Sequence, residues 1–237
     1  MSKGGYEQFC PVAMAAEVLC TRWTIVLLRE LMAGSTRFNA LRRGVPRMSP
    51  ALLSQRLKEL EAAGVVAKSG SGNGQAGSEY RLTEAGRELI PLIQAFGFWG
   101  QRWIDAELSL SRLDVQLLMW DMRRNLDPDP LPPRRSVIRF RYDDAVAAQA
   151  LWWLIVEPGV GVDLCSVDPG HDLDVEVRAD VRTMTAIWMG HETVKTALAD
   201  GRLSVEGDRD LCGSMQTWLG LSPFASTPKP ALGTEAG

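Results

Sequence analysis

Apolar positions recur with two different periods along this chain, and the change of period divides it. From Pro11 to Trp103 the spacing is by threes and fours. Val12, Ala15, Leu19, Trp23, Val26, Leu27 and Leu31 predict a helix over 11–32 that either bends or restarts at Cys20-Thr21-Arg22-Trp23, with Thr21 as the cap. Gly34 ends it. A short helix from Phe38 to Arg43 follows, with Phe38 and Leu41 inward. The next helix opens at Ser49-Pro50, a capping hydroxyl followed by a proline whose missing amide hydrogen costs nothing in the first turn. Leu53, Leu57 and Leu60 form its single apolar stripe. Ala51, Gln55 and Lys58 point the opposite way, with Leu52, Ser54, Arg56 and Glu59 between. Gly64 closes the helix in a left-handed conformation. Val65–Lys68 and Glu79–Leu82 are short β-type runs joined by a Gly/Ser-rich flexible loop over 69–78. A helix, a second helix with a free face and a hairpin, in that order, make a winged helix-turn-helix whose second helix suits the DNA major groove.

Thr83, followed by Glu84, caps a long helix with the seam Leu89, Leu92/Ile93, Phe96, Trp99 and Trp103, kinked at Pro91. So much aromatic surface on one helix calls for a cover. Antiparallel pairing with the same helix, or with the first helix, of a second copy is expected.

Past Trp103 the character changes. Asp114 to Leu126 is an amphipathic helix, and 127–133 is a stiff proline-rich connector. Strands are expected over 136–142, 151–156, 161–167, 173–179 and 203–206, and helices over 180–190, 192–200 and 209–219. Strands with helices covering one face make an α+β domain. The expected organisation is α+β throughout. A winged helix-turn-helix domain for DNA binding and dimerisation spans 1–110, an α+β domain with a mixed sheet covered by helices spans 111–225, and a polar tail without structure spans 226–237.

Composition changes this picture in one respect. The 237 residues are 46% hydrophobic and 23% charged, ordinary globular values, and the net charge of −3 by itself disfavours nucleic acid. The charge is unevenly distributed. Residues 1–104 carry 13 Lys and Arg against 8 Asp and Glu, a balance of +5, and residues 105–237 carry 13 against 21, a balance of −8. A basic module joined to an acidic one restores the expectation of DNA contact by the basic half. No apolar run reaches the roughly 18 residues of a membrane helix, and the first residues lack a signal-peptide core, so a cytoplasmic protein with no membrane partner is expected.

The candidate DNA-contacting set is Arg42, Arg43, Arg47, Ser49, Ala51, Leu52, Gln55, Arg56, Lys58 and Lys68. Gln55 can pair bidentately with adenine, and Arg56 or Arg47 with guanine or with phosphate. Lys58, Arg42 and Arg43 are placed for phosphates, which position the protein without specifying sequence. Cys10 precedes the first helix, where a thiol can become reactive. Cys20, Cys165 and Cys212 are expected as packing residues. With no C-x-x-C pair there is no zinc pattern, and no cofactor or metal is expected. Gly72-Asn-Gly-Gln-Ala-Gly77 matches a dinucleotide-binding fingerprint but runs from strand to strand, with no helix N-terminus for a pyrophosphate, and is rejected. His171 and His191 have no nucleophile or metal-ligand partner at useful spacing, so no catalytic constellation emerges and an enzyme is not expected.

Residues 9–104 resemble the HxlR-type winged-helix regulators. The resemblance is carried by Cys10-Pro11, Arg22-Trp23, Leu28-Arg29-Glu30-Leu31, Arg37-Phe38, Leu41-Arg42, Ser49-Pro50, Leu52-Leu53-Ser54, Arg56-Leu57, Glu59-Leu60, Gly64-Val65, Glu79-Tyr80 and Leu82-Thr83-Glu84-Ala85-Gly86-Arg87. It implies a bacterial, dimeric transcription regulator, and a sensing role for Cys10 in redox- or electrophile-responsive members. Two departures stand out: Ala51 is small where relatives often carry a longer side chain, and the wing is nearly uncharged, leaving Lys68 at its base as the phosphate partner. Residues 175–191 and 197–208 resemble the second half of a sterol-carrier-protein-type domain. That resemblance implies an apolar tunnel, here with Trp152, Trp153, Trp188 and Met189 as candidate lining. The function expected from the whole is a homodimeric DNA-binding regulator, by default a repressor, whose second domain senses an apolar small molecule. The alternatives are a switch at Cys10 and a lipid-binding carrier without specific DNA binding.

Overall fold

The computed structural model describes residues 5–70 and 78–229. The loop positions 71–77, including the Gly72–Gly77 fingerprint, and the tail positions 230–237 lie outside the described residues. By compactness the chain divides into 1–96 and 97–237.

In the first unit, α1 (Pro11–Leu19) and α2 (Thr24–Met32) replace the single expected helix and diverge by 80°. The break is a restart without the expected cap. Trp23 stands at the N-cap of α2 in a left-handed conformation (φ 80°) and makes no side-chain capping bond. Thr21 instead shares a hydroxyl–hydroxyl contact of 2.5 Å with Thr24. α3 (Phe38–Gly44) and α4 (Pro50–Ala62) form the helix-turn-helix, and β1 (Val66–Ser69) pairs antiparallel with β2 (Glu79–Leu82) as the wing. Ser49 Oγ accepts from the Leu52 amide at 3.3 Å, capping α4 as its sequence requires. At the other end Gly64 is left-handed (φ 72°), and the Val65 amide reaches back to the Leu60 carbonyl. Leu27, Leu28, Leu41, Leu53, Leu57, Leu60 and Ile93 are buried in one core, so both helices of the pair rest on α2 and the start of the last helix.

That last helix is two. Thr83 Oγ accepts from the Gly86 amide and caps α5 (Glu84–Glu88), and after Leu89 the chain re-enters α6 (Ile90–Trp103). Pro91 falls in the first turn of α6, where it needs no amide hydrogen. The expected kink at Pro91 is therefore a helix boundary just before it.

The second unit takes in the last turns of α6. It continues through α7 (Ala106–Leu110) and α8 (Val115–Asn125) into a five-stranded sheet. The strands are β3 (Ser136–Tyr142), β4 (Leu151–Glu157), β5 (Gly161–Cys165), β6 (Val175–Ala179) and β7 (Leu203–Gly207), in the order β5-β4-β3-β6-β7. The central β3 is antiparallel to β4 and parallel to β6. The helices α9 (Val181–Trp188), α10 (Val194–Ala199), α11 (Arg209–Gly213) and α12 (Met215–Trp218) complete it. One sheet face, with Ile138, Phe140, Tyr142, Trp152, Leu154, Val156, Val175 and Val177, shares a core with Met119 and Met122 of α8, Met184 and Trp188 of α9, and Met215 and Trp218. This is the expected mixed α+β arrangement. Of the tail expected to lack structure, residues 226–229 are described, and Thr227 donates its amide to the Phe224 carbonyl at 3.0 Å.

Candidate nucleic-acid interface

The position of α3 is fixed by an ion pair turned inward. Glu30 of α2 is fully buried, and its Oε1 takes Arg29 Nη2 at 2.6 Å. The same Arg29 Nη2 donates to the Gly44 carbonyl at 3.0 Å, tying α2 to the end of α3. Ser35 Oγ approaches the other carboxylate oxygen at 3.4 Å. The last turn of α3 exposes Arg42 and Arg43 and the turn that follows exposes Arg47, while Val45 and Met48 go into the core.

On α4 the stripe Leu53, Leu57 and Leu60 is buried, and Ala51, Gln55 and Lys58 are exposed on the opposite side, as the helical period dictates. Gln55 Nε2 is oriented by Glu59 Oε1 at 2.9 Å. Burial pushes the Glu59 carboxyl up, but hydrogen bonds from Arg56 and Gln55 and the Arg56 charge outweigh it and leave the group below its usual range. Leu52 is half-buried against the core, so only part of it faces outward. Ser49 is exposed but spends its oxygen on the cap.

Arg56 is placed differently from the rest of the candidate set. Its Nε donates to the Arg22 carbonyl at 3.2 Å, and its guanidinium pairs with Glu59. Its side chain is only 17% exposed. This geometry ties α4 to the α1–α2 break, and the guanidinium is committed there rather than to the free face.

At the wing base, Lys68 lies 5.9 Å from the Tyr80 ring centroid and is exposed. Two further cations stand beside it that sequence reading missed. Arg81 of β2 and Arg37 at the N-cap of α3 reach Glu79 from either side, at 2.7 and 3.6 Å. Hydrogen bonding and charge from Arg81, and less from Arg37, hold the Glu79 carboxyl below the usual range against the opposing effect of burial. The alternation of β2, with Tyr80 and Leu82 inward, was the signal that Arg81 points out. Arg37 joins the wing through a backbone bridge to Glu79, which no local pattern announces.

Cys10 is half-buried at the N-cap of α1. The Ala13 amide, then the Val12 amide, favour its thiolate and pull the thiol below its ordinary range, though neither makes a full capping bond. Cys20, expected to pack, is exposed at the C-cap of α1. Cys165 and Cys212 are half-buried, and Cys212 packs against the second core.

The candidate effector residues divide. Trp152 and Trp188 share the second core, with Met189 packed against it, and Trp152 Nε1 donates to the Gln149 carbonyl at 2.8 Å. Trp153 follows Trp152 in the same strand, and the pleat turns it to the other face of the sheet, across from Arg139. Among the described residues no group of three or more His, Cys, Asp and Glu could hold a metal ion, and no single helix is long and apolar enough to cross a membrane.

The family model of the HxlR-like helix-turn-helix matches residues 18–108. The chain is 35% identical over 100 residues to the uncharacterized HTH-type transcriptional regulator YvaP of Bacillus subtilis, spanning 42% of this chain and 93% of that one. It is 34% identical over 96 residues to YdeP of the same organism, spanning 40% and 75%. Among solved structures, the redox regulator HypR in its reduced form aligns at 33% identity over 42% of this chain and 99% of that one, with a TM-score of 0.39. With the helix-turn-helix, its exposed second helix and the wing in place, the chain belongs to the HxlR-like helix-turn-helix family of transcriptional regulators.

Proposed function

We propose that this regulator binds a pseudo-palindromic operator as a homodimer and represses the gene downstream, with an apolar small molecule sensed by the C-terminal domain as its signal. The observation that carries the DNA reading is the division of α4. A fully packed Leu53/Leu57/Leu60 stripe backs an exposed Ala51/Gln55/Lys58 face, flanked by exposed Arg42, Arg43 and Arg47. Gln55 is the base-reading residue, with Ala51 leaving room for a thymine methyl. Lys58, Arg42, Arg43, Arg47 and Lys68 hold phosphates.

Dimerisation is supported by helices that bury too little. α1 has no buried residue, while Phe9, Val12, Met14 and Val18 are exposed around it. On α6, Leu92, Phe96, Trp99 and Trp103 of the expected seam are exposed, and of the seam residues on this helix Ile93 alone is buried. Repression is the sign assigned because a dimer seated on promoter DNA excludes polymerase. The sterol-carrier-like reading of the second unit is supported by its mixed sheet with helices on one face and by a core of aromatic and thioether groups that can repack around a guest. An effector acts only if it binds the DNA-competent and DNA-incompetent forms with different affinity.

Titration of the DNA upstream of its own gene, with a scrambled fragment as competitor, tests the reading. Specific binding that falls steeply with salt supports it. Equal, weak binding to both fragments favours the carrier alternative. For the effector, deletion of residues 115–237 that leaves regulation intact would remove the sensing role. A second reading has its own observation, the thiolate-favouring amides at Cys10. Cys10→Ser that keeps the full response to an oxidant would exclude it.

A further inference from the structure

Within the second unit, the last turns of α6 are fastened to α9 by a short segment after α12. Residue 97 is glycine because the Phe224 ring occupies the space of a side chain. A Cβ there would lie 2.3 Å from two atoms of that ring. The ring meets Phe98 edge-on, with centroids 5.4 Å apart and planes at 86°. Two residues earlier in the segment, the Ser222 amide donates to the Trp188 carbonyl at 2.9 Å. Gln101, one turn beyond Gly97 and buried, donates Nε2 to the Met189 carbonyl at 3.0 Å. Trp188 and Met189 are the last helical residue and the C-cap of α9, so two of its terminal carbonyls are satisfied by α6 and by this segment. The other end of α9 is held as well. Arg182 chelates the Glu107 carboxylate at 2.7 and 2.6 Å and donates to the Leu110 carbonyl at 3.2 Å, both on α7.

We infer that this joint is the transmission element of the regulator: Phe224 and Gln101 are positioning residues that make α6 follow any displacement of α9. The inference rests on the proposed effector reading, because Trp188 and Met189 are the candidate ligand residues. The chemistry is that of a wedge and a cap. A guest that repacks Trp188 moves the two carbonyls, and moving either one strands a buried amide or pulls α6 with it. α6 runs unbroken from Ile90, in the first unit, to Trp103, so the joint grips the helix through which the chain returns to the helix-turn-helix unit.

The test uses the full chain and three variants: Phe224→Ala, which removes the wedge; Gly97→Ala, which expels it; and Gln101→Leu, which deletes only the cap and conserves volume. Hydrogen–deuterium exchange needs no ligand and no DNA. The expected result is a tenfold or greater loss of protection in 97–103 and 186–190 together, in at least the wedge variants. Affinity for the upstream DNA should shift threefold or more, in one direction for all three. If a wedge variant fails to fold, Gln101→Leu decides alone, by the threefold shift and by lost protection at 186–190. Deprotection confined to 221–229, or wild-type DNA affinity in every folded variant, overturns the inference. Wild-type protein that does not prefer its upstream DNA overturns the proposed function instead, and the exchange measurement still reports on the joint.

Discussion

The carboxylate of Glu30 fills the space beside residue 44: a Cβ built on Gly44 would lie 1.8 Å from Glu30 Oε2. Glu30 is fully buried, and Arg29 links it to the Gly44 carbonyl. The first helix of the DNA-binding pair is thus seated by a charge pair that tolerates no side chain at its end. Gly44→Ala should displace α3, lower the unfolding midpoint in urea and weaken DNA binding. Arg29→Met leaves the carboxylate buried without that cation and should cost about 3 kcal/mol in the same titration. A loss under about 0.5 kcal/mol, the range of an ordinary surface substitution, would show the pair to be dispensable.

Gln55 and Arg56 are neighbours in sequence and should behave oppositely. Gln55→Ala should relax discrimination at one operator position by about 1–3 kcal/mol and leave thermal stability unchanged. Arg56→Ala removes the tie to the Arg22 carbonyl and should lower stability more than it alters base preference. Competition with single-base operator variants, run beside a melting curve, separates the two. Lys58→Ala, by contrast, should weaken all sequences alike and reduce the salt slope by about 1.

Much of this was legible in the sequence, and the gaps have physical causes. Ser49-Pro50 and Thr83 announce helix starts because capping is local chemistry, and both cap as expected. The sheet of the second unit follows from period-two runs bounded by turn residues. The inward turn of Arg56 was readable as well: at about 100° per residue it falls nearer the leucine stripe than to Gln55. The pleat likewise separates Trp152 from Trp153, so grouping them as one lining overlooked a local rule. Other features have no local signal. The left-handed Trp23 stands at a helix start with no side-chain cap to announce it, and Gly97 is explained only by Phe224, far along the chain. The Arg37 link to the wing joins α3 to β2 across the whole recognition helix.

The exposed apolar residues of α1 and α6 predict the assembly state. At micromolar concentration, light scattering should give twice the chain mass. Val12→Glu combined with Phe96→Glu should halve it, because each places a charge where apolar surface is to be covered. A wild-type monomer, or a double variant that remains dimeric, would contradict the assignment of these helices to the dimer.

The thiols should also sort by environment. The Ala13 and Val12 amides lower the Cys10 thiol, whereas burial, and then the Asp208 charge, push the Cys212 thiol up. The thiolate is the reactive form and its fraction rises with pH, so alkylation of Cys10 should set in at lower pH than alkylation of Cys212 and run faster at any given pH. Iodoacetamide labelling followed by mass spectrometry across a pH series measures both. Equal rates at pH 7 would remove the basis of the Cys10 switch.

The central claim is that the free face of α4 reads a specific DNA sequence. Fluorescence anisotropy with the fragment upstream of its own gene, from about 50 to 200 mM salt, compares wild type with Gln55→Ala against a scrambled competitor. The account predicts that wild type prefers the specific fragment at every salt concentration, that affinity falls by orders of magnitude across the series, and that Gln55→Ala loses preference while keeping the salt slope. A preference that survives Gln55→Ala undiminished, or wild-type binding that is equal for both fragments, would contradict it.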